Sequence, residues 1–104
     1  MSVTTIYITT NSKEEAMEIA RATVKEKLAA CANILGEVSS VYAWNGEIVE
    51  EKETALLLKT SDKLIKRLTE RVKTLHSYDC PCITALNIVD GNADYLNWIK
   101  QETL

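Results

Sequence analysis

At 104 residues, with 46% apolar and 26% charged side chains and few glycines or prolines, the chain has the size and balance of one globular domain (1–104), not of a disordered or fibrous protein. The net charge is -3 and Lys and Arg are scattered among Asp and Glu; with no basic face to neutralise phosphates, nucleic acid is not an expected partner. No stretch approaches the roughly 20 apolar residues needed to cross a bilayer, and the start carries no basic and then apolar signal pattern, so the expected setting is cytoplasmic, with no membrane partner.

The first element, Val3 to Thr10, is β-branched and alternating, which predicts a strand. Ser12 and Glu15 stand at capping-box spacing and open a helix whose Ala16, Met17, Ala20, Val24 and Leu28 share an arc of about 120°. Ala30 to Trp44 and Glu47 to Thr60 read as two long strands joined by Asn45-Gly46, a pair suited to a type I′ turn, with Gly36 as a candidate bulge. Thr60 or Ser61 is placed to cap a second helix with Leu64, Ile65, Leu68, Val72 and Leu75 on one face, ending near His76. After Pro81, Cys82 to Asp90 reads as a strand, and Asn92 or Asp94 caps a short last helix carrying Tyr95, Leu96, Trp98 and Ile99. The order β-α-β-β-α-β is that of an α+β, ferredoxin-like domain with a long central hairpin and a short C-terminal helix.

That hairpin sets a problem of coverage. A helix of about 15 residues is roughly 22 Å long, whereas arms of about 14 residues reach roughly 45 Å. Val38, Val41, Tyr42, Trp44, Ile48 and Val49 lie on the uncovered part, where a bare apolar edge invites aggregation. Either the hairpin curls back over its own sheet or copies of the chain cover it.

The chain holds three cysteines and one histidine. An odd number of thiols in a reducing compartment argues against a disulfide framework. Cys80 and Cys82 flank Pro81, with His76 four residues upstream, and thiolate and imidazole suit copper and other soft or borderline cations. The same residues also read as two packed thiols and a histidine favourably placed at a helix end. A lone histidine without a partnered nucleophile, and no Gly-rich phosphate loop, speak against an enzyme and against an organic cofactor.

The run Lys27-Leu28-Ala29-Ala30-Cys31-Ala32-Asn33-Ile34, then Ser40-Val41-Tyr42-Ala43-Trp44-Asn45-Gly46-Glu47-Ile48, resembles the CutA divalent-cation tolerance family. Glu53 with Leu57 to Thr60, Leu75-His76-Ser77-Tyr78 before Pro81, and Gly91-Asn92 with Tyr95-Leu96-Asn97-Trp98-Ile99 continue the match over nearly the whole chain. The resemblance implies a ferredoxin-like subunit in a compact PII-like homotrimer, associated with tolerance to metal ions including copper. From it His76 is carried over as a metal ligand, joined by Cys80 and Cys82 as candidates. The sequence departs from the family where Ser77 and Cys82 replace the usual Pro and Glu, and where Thr9 stands at the position of a cysteine used by copper-binding bacterial members. Cys31, Tyr42, Trp44, Glu53, Lys59, Tyr78, Tyr95 and Trp98 occupy family-pattern positions and are expected at clefts or interfaces between subunits. Two functions follow from this: a cation-binding tolerance protein, or a signalling or scaffold trimer that takes a small ligand or a partner protein in those clefts.

Overall fold

The computed structural model describes residues 2–104. Its elements are β1 (Val3–Thr10), α1 (Lys13–Lys25), β2 (Cys31–Trp44), β3 (Glu47–Ser61), α2 (Ile65–Leu75), β4 (Ile83–Asn87) and α3 (Ala93–Gln101). The four strands form one antiparallel sheet in the order β2-β3-β1-β4. β1 and β2 are joined by a helix yet separated by β3, as the split βαβ plan requires.

Alternation along each strand divides the sheet into two faces. On one, Ile6, Ile8, Leu56 and Leu58 meet Ala16 and Ile19 of α1 and Leu68 and Val72 of α2, making the main core. The other face is covered at one end by α3, whose Ile99 and Leu96 pack against Val3, Ala30 and Ile88. The hairpin runs on past both helices, and the molecule measures 44 × 25 × 22 Å.

Local chemistry explains the hairpin. Asn45 and Gly46 both have positive φ, 51° and 80°, as a type I′ turn demands. Gly36, at φ 105°, sits where the β2–β3 register slips between Ile34 and Gly36. Leu35 is thereby left without a partner, and the expected bulge is present.

Three expectations are corrected. α1 buries Ala16, Ile19, Ala20 and Thr23, while Met17 is only partly buried and Val24 is exposed. The buried face is turned by about 70° from the apolar stripe. Thr23 can lie inside because its hydroxyl donates to the Ile19 carbonyl, 2.8 Å away. The helix also stops at Lys25, so Leu28 is buried from the following loop, after Lys27 turns at φ 61°.

Neither Thr60 nor Ser61 caps α2 through its side chain. The Thr60 hydroxyl donates to the Leu28 carbonyl at 2.6 Å, and Ser61 shares a 2.8 Å hydrogen bond with Thr103. The chain enters α2 through a 3-10 turn over Asp62–Leu64. β4 is shorter than the predicted 82–90, because among the described residues it pairs with β1 alone, from Ile8↔Ile83 to Thr4↔Asn87. Beyond Asn87 the chain turns to pack Ile88 against α3.

Candidate functional site

The bulge determines what the hairpin presents. Along β3 the odd-numbered residues face away from α1 and α2 throughout. On β2 the odd-numbered Cys31 and Asn33 share that face before the bulge, paired with Lys59 and Leu57. After it the even-numbered residues do, with Ser40 opposite Glu51, Tyr42 opposite Val49 and Trp44 opposite Glu47. One inserted residue thus re-aims Tyr42 and Trp44 onto the side of Glu53 and Glu51.

The loop between α2 and β4 folds over the same side. Tyr42, Trp44, Glu51 and Glu53 of the hairpin, Thr9 of β1, and Tyr78, Asp79, Cys80 and Cys82 of the loop enclose a cavity of about 340 Å³. Its only acidic or basic side chains are Glu51, Glu53 and Asp79, so no basic group lines it. Glu53 is just 7% exposed, and it accepts a 2.9 Å hydrogen bond from the Tyr78 hydroxyl. Burial and this bond push the Tyr78 phenol well above its ordinary range. On the outer wall the Tyr42 hydroxyl donates to Glu51, and that bond raises its pKa to about 12.

His76 anchors the loop and does not line the cavity. Its Nε2 lies 2.8 Å from the Thr9 carbonyl, which can only accept, so Nε2 carries the proton. Nδ1 then accepts from the Tyr78 backbone N–H at 3.1 Å, and the Tyr78 ring leans on the imidazole at 4.7 Å between centroids. Both nitrogens are engaged, leaving no lone pair for a metal. Glu15 secures the same segment: its carboxylate accepts from Asn11 N–H at 3.0 Å and Ser77 N–H at 2.8 Å, while Ser12 caps α1. Burial raises the Glu15 pKa, but the Asn11 and Ser77 bonds outweigh it and leave the carboxyl below its usual range.

The residues singled out in the sequence therefore fall into two groups. Tyr42, Trp44, Glu53, Tyr78, Cys80 and Cys82 share the cavity. Cys31, Lys59, Tyr95 and Trp98 gather beside α3: Cys31 Sγ and Tyr95 Oη are 3.2 Å apart, Lys59 donates to Asn33 at 2.9 Å, and Tyr95 stacks on Trp98. Glu53 and Lys59, both family-pattern positions expected at subunit interfaces, do not pair within the chain, where their partners are Tyr78 and Asn33. Cys80 is exposed and Cys82 half-buried. Among the described residues no three His, Cys, Asp or Glu side chains converge tightly enough to hold a metal ion, so a closed His76–Cys80–Cys82 site does not fit one chain. Asp79 was missed as a cavity residue, while Glu51, in a charge run near the hairpin tip that reads either as a cation-attracting acidic rim or as solvated edge protection, joins the wall. The pairing of Glu51 with Ser40, two residues along from Tyr42, was the signal available.

Comparison with known proteins adds family context. Residues 4–102 match the family described as CutA1 divalent ion tolerance protein. The chain is 48% identical over 98 residues to a Thermus thermophilus divalent-cation tolerance protein CutA, covering 94% of this chain and 95% of that one. It is 39% identical over 102 residues to mouse Protein CutA, covering 98% of this chain and 58% of the relative, so it spans little more than half of the mammalian protein. Among solved structures, a Thermus thermophilus divalent cation tolerance protein superposes with TM-score 0.95 at 46% identity, over 97% of this chain and 98% of that one. CutA1 from Oryza sativa gives TM-score 0.96 at 40% identity, over 100% and 95%.

Proposed function

Since this chain belongs to the CutA1 divalent ion tolerance family, we propose that it works as a homotrimer that takes up a soft or borderline cation, copper or zinc, as cargo at the Cys80–Cys82 pair. The observation that carries this reading is the position of the two thiols on a cavity whose other titratable groups are carboxylates and tyrosines. Thiolates supply soft donors and the carboxylates favour a positive guest. Two thiols alone make an open site, completed by water or by a second copy and accessible to ligand exchange, which suits tolerance better than permanent storage. The reading is one of binding and not of catalysis, and it is supported by an imidazole whose two nitrogens are both committed to structure.

The trimer rests on the bare hairpin. Val41 is 67% exposed, Ile48 72% and Trp44 51%, and such a surface calls for cover. Sedimentation of a dilute sample is expected to give the mass of three chains, and a lone, folded protomer would refute the assembly.

For the metal, Cu(I) and Zn(II) are titrated into the reduced protein, into a Cys80→Ser/Cys82→Ser variant and into His76→Gln, which can still donate to Thr9. Binding is expected to vanish in the double cysteine variant and to persist in His76→Gln. Unchanged affinity without the thiols refutes the site.

A further inference from the structure

The thiols occupy one side of the cavity, and the rest of its lining has a different chemistry. Glu53 is buried and receives one phenol donor, and no basic side chain lines the cavity beside it. A buried anion without a counter-charge is costly. Glu51 stands on the same strand face, exposed and held by Tyr42. The rings of Tyr42, Trp44 and Tyr78 form the apolar part of the wall, and aromatic faces attract cations. The volume, about 340 Å³, lies in the range of small-molecule sites.

We infer that the Glu53–Glu51 side of this cavity, walled by Trp44 and Tyr78, binds a small organic polycation of the linear diamine class. Lone pairs on both carboxylates favour N–H donors, which selects primary ammonium over quaternary ammonium groups. Two carboxylates on alternate residues of one strand suit two ammonium groups, and the methylenes between them lie against the rings. The site uses no thiol and stands whether or not Cys80 and Cys82 bind a metal.

The test is calorimetric titration of 1,4-diaminobutane into the assembled, reduced protein after metal removal by chelator. Saturable binding with one site per chain is expected, weakened about tenfold or more by Glu53→Gln, the loss of one charged hydrogen bond. Glu51→Gln, on an exposed residue whose change cannot unfold the chain, is expected to weaken binding several-fold. 1,4-Butanediol, equal in length and uncharged, is expected to give no saturable heat. The inference is overturned by absence of saturable diamine binding, by wild-type affinity in both glutamate variants, or by equal binding of the diol. A protein that binds diamine but no Cu(I) or Zn(II) would remove the metal proposal alone.

Discussion

The sheet has two halves that obey different rules. Under α1 and α2 each inward side chain of β1 and β3 is wrapped: Ile6, Ile8, Leu56 and Leu58 lose all contact with solvent. Beyond the bulge, β2 and β3 have only each other, and Val41 and Ile48 remain open on one side of the ribbon while Tyr42 and Trp44 turn to the other. The first half is stabilised by burial within the chain. In the second, shape is set by backbone chemistry at Gly36, Asn45 and Gly46, and the side chains are left for binding.

The contrast is broken most directly in the covered half. Leu58→Ala is expected to cost about 2–5 kcal/mol, the range for emptying a packed core site, measured by denaturant unfolding. At the junction between the halves, Gly36→Ala forces an L residue to φ 105° although nothing crowds its Cβ, so the loss is conformational, about 1–2 kcal/mol. Deleting Leu35 sharpens the comparison further. It would restore an unbroken register, turn Tyr42 and Trp44 to the opposite face, and abolish diamine binding while leaving the helix-side core intact.

Loop anchoring gives a smaller, pH-dependent effect. Glu15→Gln is expected to cost about 1 kcal/mol near neutral pH. Because the folded carboxyl sits below its usual pKa, its contribution is complete above the unfolded carboxyl's range. It is lost as pH falls through the depressed folded value. The stability gap between wild type and variant should therefore close on acidification, and urea midpoints across that window check it. Smallest for the protomer is Ile48→Lys on the bare ribbon, within about 0.5 kcal/mol for the subunit fold, yet it should weaken the assembly seen by sedimentation.

Much of the architecture was legible in residue order. Asn45-Gly46 specified its turn through a local preference for positive φ, Gly36 marked its bulge, and β1 announced itself by alternation. α1 was misjudged by part of a turn because Thr23, polar in composition, satisfies its hydroxyl on its own helix and can be buried. Thr60 and Ser61 were mistaken for helix caps because their true partners, the Leu28 carbonyl and Thr103, are distant in the chain.

The cavity divides in the same way. Its aromatic and thiol members stood out as residue types, and the family pattern named most of them. That His76 holds a loop, and that Glu51 and Asp79 join the wall, depended on where α2 returns to the end of β1. What the sequence alone determined was the set of elements and turns, since these rest on short-range periodicity and backbone preference. Which face the hairpin shows to which loop was decided only in three dimensions, because a one-residue bulge and a buried imidazole couple segments that the linear chain keeps far apart.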